Sequence, residues 1–523
     1  MKHRTKNALI CLLAILFIMW LACRPDVSRD ILSQSIMVDQ TPKISPDYSN
    51  TVIPPNIAPL NFEILEKGSA YFVEIKSQNG DPIQVYSTDP LCSISLKAWK
   101  ELLAANKGKT IQFNIFVHNK GKQWLQYKTI YNRVAEENID PYLAYRLIDP
   151  ASDFWRIMGI YQRNLENFDE TPILLNRLTK NNCMNCHNFM NNDPNTMVMH
   201  LRAGPGSGTL IAKNGKITKV NTSTDFSKAG AYPAWHPNGK LVAFSVNKLQ
   251  MFFHSTGEPR DVLDHASDLI VYNIPTNTIT TSISISSPDR MENFPAWSPD
   301  GKFLYFCSAD KMEKYFKKDG EFLWDQIYYD LMRVRYDSET DTWGKPETLI
   351  DGDRIKKSIT EPRVSPDGRF VLFTTAKYGN FPIYLKSADV CLLDLSTGIY
   401  KVLPVNSDQT DSFHSWSSNS RWFVFSSKRD DGFCARPYFS YVDKDGNASK
   451  PFLLPQKNPN DYKTFIKTYN VPELIKGPVP YRPQSLSKAA MNNKKLLKAN
   501  LDPKVQPRVQ EKTPDQMYTP APG

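Results

Sequence analysis

The sequence predicts an all-β protein whose main part is a β-propeller of six blades, with seven as the alternative count. A turn motif recurs four times through the second half of the chain, and an alternating apolar strand follows each copy at once. Successive copies begin 62, 67 and 52 residues apart, which leaves room for four strands and their loops in each unit. We also expect a small β-sandwich in front of the propeller.

The first 22 residues have the composition of a secretory signal peptide. Basic residues precede an uninterrupted apolar run of fifteen residues, 8–22, which is too short for a comfortable membrane span. The run ends in Leu21-Ala22-Cys23, which resembles a bacterial lipoprotein cleavage box, although Trp20 stands where an aliphatic residue is usual. We expect lipidation of Cys23 and a location on the periplasmic side of the outer membrane. Ordinary signal cleavage and an uncleaved anchor are the alternatives.

Two units are expected between the signal and the propeller. Residues 23–54 are polar and rich in proline, which predicts a flexible tether. Residues 55–135 contain alternating apolar stretches, a hairpin signal at Asn79-Gly80 and a short helical stretch at 96–105. This pattern predicts a β-sandwich-like domain, which suits a spacer or partner-binding module better than a catalytic one.

Residues 136–475 are assigned to the propeller. In the turn motif, Pro presets φ at the first turn position and Asn-Gly or Asp-Gly tolerates positive φ, so a tight hairpin is expected. The second residue of each copy (Trp235, Trp297, Val364 and Trp416) is expected to face the core between blades. Strand pairs at 142–163 and 208–220 are expected to complete the ring. The copies are Ala234-Trp-His-Pro-Asn-Gly-Lys240, Ala296-Trp-Ser-Pro-Asp-Gly-Lys302, Arg363-Val-Ser-Pro-Asp-Gly-Arg369 and Ser415-Trp-Ser-Ser-Asn-Ser-Arg421.

These repeated motifs resemble those of TolB-like propellers, a WD-type family of exported bacterial proteins. The resemblance covers residues 208–455, and its fourth copy departs from the pattern, with Ser418 and Ser420 in place of Pro and Gly. The resemblance implies a propeller that binds proteins or peptides at its central channel.

A second motif lies before the repeats, at Cys183-Met184-Asn185-Cys186-His187. It fits C-x-x-C-H, the attachment pattern of a c-type haem. In that chemistry the two thiols, Cys183 and Cys186, add to the two vinyl groups of one haem, and His187 becomes the proximal iron ligand. The sequence therefore predicts one covalent haem, held by an insertion at 180–205 near the first or second blade. A zinc pair, a redox CxxC and two unrelated buried thiols are the alternatives.

The residues after this motif suggest what holds the other face of the haem. The order C-x-x-C-H, Asn-Asp-Pro, His-x-Arg and Gly-Thr-Leu resembles a group of exported TolB-like propellers that carry a single haem-binding insertion. That resemblance implies His200 as the distal iron ligand and Arg202 as the partner of a haem propionate. The alternatives are Met190, Met197 or Met199 as the distal ligand, or a five-coordinate iron with His200 as an ordinary blade residue.

Charge and composition exclude one class of partner. The formal net charge is +10, but much of the excess lies in the signal and in the tail, residues 476–523. There is no basic stripe interleaved with aromatic residues, so nucleic acid is not an expected partner. The tail is basic and contains proline, which predicts disorder.

Three classes of function remain open. The favoured one is an exported, membrane-anchored haem protein acting in electron transfer or redox-linked protein interaction with envelope partners. The second is a protein-binding scaffold without redox chemistry, and the third is a haem-dependent oxidoreductase. The chain shows no second His-rich or Cys-rich motif and no G-x-S-x-G elbow in a strand-turn-helix context, so no catalytic residue is assigned and an enzyme is disfavoured.

Overall fold

The computed structural model describes residues 27–119, 123–150, 157–253 and 260–507. An amino-terminal module comes first along the chain. Its elements are α1 (Val27–Gln34), β1 (Ile36–Met37), β2 (Ile44–Ser45), β3 (Val52–Ile53), β4 (Phe62–Ile64), β5 (Ala70–Lys76), β6 (Ile83–Ser87), β7 (Leu91–Cys92), α2 (Leu96–Ala105), β8 (Thr110–His118), β9 (Trp124–Gln126) and β10 (Ile130–Val134).

The module contains a seven-stranded sheet and a three-stranded sheet, with α2 packed against them. Helix α2 buries Trp99, Leu102 and Leu103, and the Trp99 indole Nε1 donates to the Ile57 carbonyl at 3.0 Å. The central strand β8 pairs with β5 on one side and with β9 and β10 on the other. A small β unit is therefore present where the sequence predicted one.

The structure differs from the predicted tether at 23–54. Strand β1 pairs with β9, β2 pairs with β4, and β3 pairs with β10, so residues 36–53 complete the edges of both sheets. The strands in residues 36–53 are only two residues long and are separated by prolines, so the sequence shows no strand pattern there. Residues 1–26, including the signal and Cys23, lie outside the described residues. No helix among the described residues is long and apolar enough to cross a membrane.

The rest of the chain builds the ring and the segment that follows it. The strands are β11 (Tyr142–Ile148), β12 (Gly159–Asn164), β13 (Glu170–Leu175), β14 (Cys183–Phe189), β15 (Thr196–Arg202), β16 (Gly208–Lys213), β17 (Lys216–Asn221), β18 (Ala231–Trp235), β19 (Leu241–Phe253), β20 (Arg260–Asn273), β21 (Thr278–Thr280), β22 (Arg290–Trp297), β23 (Phe303–Asp310), β24 (Asp330–Asp337), β25 (Thr342–Trp343), β26 (Glu347–Ile350), β27 (Ser358–Val364), β28 (Phe370–Ala376), β29 (Asp389–Asp394), β30 (Ile399–Val402), β31 (Asp411–Trp416), β32 (Trp422–Ser427), β33 (Arg436–Tyr441), β34 (Phe452–Leu453), β35 (Thr468–Ile475), β36 (Leu497–Lys498) and β37 (Asn500–Leu501). The helices are α3 (Gly352–Ile355), α4 (Asp461–Thr464) and α5 (Pro483–Met491).

Six sheets form the blades, and the predicted count of six is confirmed. Blades two to six take their strands in chain order and start with β14, β18, β22, β27 and β31 as innermost strands. Blade one has the order β13-β12-β11-β35, so its innermost strand comes from the far end of the propeller sequence. The innermost strands contact one another in a closed cycle, and β35 closes the ring against β14 and β31.

The four turn motifs connect the first and second strands of blades three to six. Their second residues face the cores between blades, as predicted. Trp235 packs with side chains of blades two and three, and Trp297 packs with side chains of blades three and four. Val364 and Trp416 take the corresponding places in the later cores.

The predicted haem-binding insertion at 180–205 is not an insertion in this fold. Its first part is β14, the innermost strand of blade two, and its second part is β15. Cys186-His187-Asn188-Phe189 takes the same place in blade two as Tyr232-Pro-Ala-Trp235 takes in blade three. The motif thus begins a divergent copy of the propeller repeat, whose turn, Asp193-Pro194-Asn195, lacks the Gly of the first three turn motifs.

The chain after blade one also differs from the predicted disordered tail at 476–523. Helix α5 buries Leu486 and Ala490, and the Lys219 Nζ donates to the Ala490 carbonyl and to Asn493 Oδ1, both at 2.6 Å. Strands β36 and β37 then extend blades two and three by parallel pairing. The sequence of this segment is mostly basic and polar, so its few buried apolar residues gave no recognisable pattern. Residues 508–523 lie outside the described residues.

Substitution of Leu486 tests this ordered segment. Leu486→Ala is expected to lower the free energy of unfolding by about 2–4 kcal/mol, because it leaves a cavity under α5. Leu497→Ala, in the same segment but 44% exposed, is expected to change it by less than about 0.5 kcal/mol. Chemical denaturation of both variants measures the difference, and equal, near-zero effects would mean that the segment does not pack on the blades.

Candidate functional site

The central channel is the candidate functional site. Every innermost strand is interrupted by one bulged residue with positive φ, and these six residues surround the axis at one level. Because the residues that follow each bulge line the same wider cavity, all six strands run in one direction along the channel. The bulged residues are Cys186 (φ 52°), Tyr232 (48°), Phe294 (50°), Glu361 (57°), Phe413 (47°) and Val471 (48°).

The wider cavity forms the mouth of the channel at the ends of the innermost strands. Its volume is about 340 Å³, and the residues that line it include Trp235, Trp297 and Trp416, whose side chains are buried in the cores between blades. Two cations, Arg363 and Lys476, line the same cavity. Within the described residues, the Arg363 guanidinium makes no side-chain hydrogen bond, whereas its backbone carbonyl accepts from Trp416 Nε1 at 3.0 Å. Glu473 also lines this cavity, so its wall contains two cationic side chains and one carboxyl group.

A ring of titratable side chains lies one step deeper. It consists of His187, His414, Glu361, Glu473 and Arg363, around a cavity of about 30 Å³. Glu361 Oε2 accepts from the Phe413 amide at 2.8 Å. Glu473 accepts from the Phe189 amide at 3.0 Å and from Asn188 Nδ2 at 3.1 Å.

Burial sets the protonation of this ring. Burial raises the pKa of Glu361 and of Glu473 to about 7, although Arg363 and hydrogen bonds act in the opposite direction. Burial also lowers the pKa of His187 and of His414 to about 3, with help from Arg363. The histidines are therefore neutral and the two carboxyl groups are half protonated at neutral pH, so they neutralise the charge of Arg363 only in part.

The structure brings the two predicted haem thiols together with Arg202. Cys183 pairs with Arg202 across β14 and β15, which places the two side chains on the same face of the blade. Burial raises the pKa of the Cys186 thiol to about 11, while Arg146 and Arg202 act to lower it. The Arg146 guanidinium is fixed by the Met184 carbonyl and by Asn470 Oδ1, at 3.1 and 2.8 Å. At neutral pH the Cys186 side chain is thus a protonated, buried thiol beside two guanidinium groups.

The structure does not bring His187 and His200 together. His200 pairs with Asn185, whereas His187 comes after the bulge and pairs with Met199, which places the two imidazoles on opposite faces of the blade. His200 Nδ1 lies 3.2 Å from Thr209 Oγ1, while neither ring nitrogen of His187 has a hydrogen-bond partner among the described residues.

A haem does not fit this arrangement. The cavity beside His187, about 30 Å³, has room for about one or two water molecules, whereas cofactor sites measure roughly 300–1,000 Å³. The alternative distal ligands Met197 and Met199 are packed into the apolar core between blades one and two, and Met190 packs toward the core between blades two and three. Across the described residues, no group of three or more His, Cys, Asp or Glu is arranged to hold a metal.

Sequence reasoning missed the other members of the ring. His187 occupies the position that Pro233, Pro295, Pro362 and Pro472 occupy in other blades and that His414 occupies in blade six. An alignment of all six innermost strands, rather than of the turn motifs, shows this position. It also places Arg363 and Glu473 at one level, two residues after the bulge, and Glu361 at the bulge itself.

No family model matches the chain, and no curated protein matches it. Among solved structures, the chain is similar to the Dos1 propeller (TM-score 0.27, 13% identity, 46% of this chain and 66% of that chain). It is also similar to an auxiliary nutrient binding protein from Bacteroides thetaiotaomicron (TM-score 0.31, 10% identity, 80% and 98%). A chain of a nidogen/laminin complex is similar too (TM-score 0.39, 8% identity, 64% and 98%). These likenesses concern the fold alone.

The buried carboxyl groups make the stability depend on pH. The pKa of Glu361 is about 7 in the folded chain against an ordinary 4.5, so its contribution falls as pH rises from 4.5 to 7, by up to roughly 3 kcal/mol. Glu361→Gln removes this loss and still offers an oxygen to the Phe413 amide. We expect Glu361→Gln to gain stability relative to the parent between pH 5 and pH 8 in chemical denaturation. In the exposed control Glu339→Gln, the difference in free energy of unfolding from the parent should be the same at pH 5 and at pH 8. A pH-independent effect of Glu361→Gln would contradict the raised pKa.

Proposed function

We propose that this chain is a TolB-like propeller that binds a carboxylate-bearing segment of a partner protein at the mouth of its central channel. The observation that carries the proposal is the mouth itself, a cavity of about 340 Å³ whose lining contains two cations, Arg363 and Lys476, and one carboxyl group, Glu473. A cavity of this volume suits the end of a peptide or a small anionic ligand rather than a folded domain.

The charges favour an anionic segment. Arg363 faces Glu361 and Glu473, but burial raises the pKa of both carboxyl groups to about 7. Their attraction for the guanidinium is therefore incomplete at neutral pH, and a fully ionised carboxylate from a partner forms the stronger pair. The planar guanidinium matches a carboxylate with two parallel hydrogen bonds, and capture of a terminal carboxylate is a recurrent mode of peptide recognition.

The mouth variants test this proposal. The probe is an array of peptides with free terminal carboxylates, each compared with its C-amidated version. We expect free-acid peptides to bind and Arg363→Gln to weaken them about tenfold or more, which corresponds to the loss of one charged hydrogen bond. The matched control is Arg369→Gln, on the same blade but paired outside the mouth with Asp394 at 3.1 Å. Equal binding of free and amidated peptides, or no effect of Arg363→Gln, would contradict the proposal.

A c-type haem is the second candidate, with electron transfer as its function. It is favoured by the unpartnered nitrogens of His187 and by the thiols of Cys183 and Cys186 beside the guanidinium groups of Arg146 and Arg202. A haem would supply one-electron chemistry. It requires β14 to leave the innermost position in blade two, because the cavity beside His187 is too small.

A pyridine haemochrome spectrum separates the two candidates. The sample is the full chain exported from cells that are competent in cytochrome c maturation, and the control is Cys183→Ala/Cys186→Ala. From the packing of β14 we expect no c-type α-band in either sample. A band that survives acid-acetone extraction and disappears in the double variant would establish the haem and overturn the arrangement of β14.

A further inference from the structure

One long hairpin extends from blade three at the end of the channel opposite the mouth. Strands β19 and β20 have 13 and 14 residues, which makes this hairpin extend beyond blade three. Its β20 side reaches the loop after β28, where Tyr378 Oη donates to Asp261 Oδ1 at 2.9 Å and Arg260 lies over the Tyr384 ring at 4.9 Å. Leu263 packs with Met291 of blade four. The hairpin therefore joins three blades across this end.

A cluster of one carboxylate and three amides lies under the hairpin. Asp264 Oδ2 accepts from Asn247 Nδ2 at 2.9 Å, from Asn293 Nδ2 at 3.0 Å and from Asn380 Nδ2. We call these four residues the amide cluster. They come from β19, β20, β22 and the loop after β28, which belong to blades three, four and five. Asp264, Asn293 and Asn380 are 2%, 0% and 1% exposed.

The amide cluster leaves four buried oxygens without partners. Within the described residues, Oδ1 of Asp264, Asn247, Asn293 and Asn380 all lack a hydrogen-bond partner, and so does the neighbouring Tyr329 Oη. Unpartnered buried oxygens are rare in folded proteins, because each loses its hydration without compensation. Here four such oxygens belong to residues whose hydrogen bonds converge on one atom, Asp264 Oδ2. This arrangement indicates that a single ligand satisfies the four oxygens.

The chemistry of these groups indicates which ligand. The amide nitrogens of the three Asn residues already donate to Asp264 Oδ2, so the four atoms left over are acceptor oxygens only. A buried acceptor oxygen is satisfied by a donor group or by a cation. Carboxylate and amide oxygens together are the ligands that calcium takes in proteins.

We propose that the amide cluster binds a calcium ion, and that this ion fastens the β19–β20 hairpin at the end of the channel opposite the mouth. The donors are oxygens only, which disfavours zinc, and magnesium prefers fewer protein ligands and a stricter octahedron. A single carboxylate predicts weak binding, with a Kd of roughly 10⁻⁴–10⁻³ M, as in extracellular calcium modules. The amide cluster is separate from the mouth, so the calcium proposal does not depend on the proposed peptide binding.

Thermal denaturation of the full chain tests the site. After removal of metal with a chelator, the protein is titrated at pH 7.5 with calcium, magnesium or sodium chloride at matched ionic strength. We expect 10 mM calcium to raise Tm by about 1–3 °C and the other two salts to have less than half of that effect. Equal shifts with all three salts, or no shift with calcium, would overturn the proposal.

Three variants make the test specific. Asp264→Asn is expected to abolish the calcium shift, and Asn247→Asp, which adds a second carboxylate, is expected to tighten calcium binding about tenfold. The control is Glu292→Gln, which changes a buried carboxyl whose Oε1 accepts from the Ser287 amide at 3.2 Å, and it should keep the shift. If Asp264→Asn does not fold, the calcium affinity of Asn247→Asp still tests the proposal. Unchanged calcium affinity in Asn247→Asp would show a hydrogen-bond network around a carboxyl group instead of an ion site.

Discussion

Hydrogen bonds between neighbouring blades hold the ring together. The bulges of the innermost strands leave backbone amides without strand partners, and side chains of the neighbouring blades accept from these amides. Glu473 of blade one caps the Phe189 amide of blade two, and Glu361 of blade five caps the Phe413 amide of blade six. Similar bonds join three more pairs of blades. The Trp235 amide of blade three donates to Asn188 Oδ1 of blade two, and the Phe294 amide of blade four donates to Ser245 Oγ of blade three. The Leu474 amide of blade one donates to Ser415 Oγ of blade six. Since a non-Gly residue in the left-handed region costs about 1–3 kcal/mol, these caps compensate for the strain that the bulges impose.

This capping explains why ionisable groups lie in the middle of a propeller. Glu361 and Glu473 are buried because the amides that they cap lie on the channel wall, and burial then raises the pKa of both carboxyl groups to about 7. Structural carboxyl groups thereby shape the charge that Arg363 presents at the mouth. The electrostatics of the candidate site are a consequence of how the ring closes.

The blades could be predicted from the sequence because each Pro-Asn-Gly or Pro-Asp-Gly turn precedes an alternating strand, and both signals are local. Only the outer hairpin of blade two, 208–220, was predicted, because the first turn of this blade runs through Asp193-Pro194-Asn195 and lacks the Gly. The pattern C-x-x-C-H was then interpreted for its chemistry, whereas in the fold His187 occupies a repeat position. The packing of 27–54 and 483–501 was also missed, because two-residue strands and one buried face of a nine-residue helix leave too little periodicity. The amide cluster joins residues more than 130 positions apart, so only the fold shows it.

The two ends of the channel differ in a way that limits what can reach the thiols. At the mouth, a peptide or an anion meets Arg363 in a cavity of about 340 Å³. The next level narrows to about 30 Å³ between His187, His414 and the two carboxyl groups. A ligand at the mouth therefore contacts Arg363 but not Cys186, which lies at the bulge level. At the far end, the β19–β20 hairpin reaches from blade three to the loop after β28 in blade five, beside the amide cluster. Chemistry at Cys183 and Cys186 consequently requires either a reagent of about the size of water or a movement of β14 or of the hairpin. The binding function at the mouth requires neither.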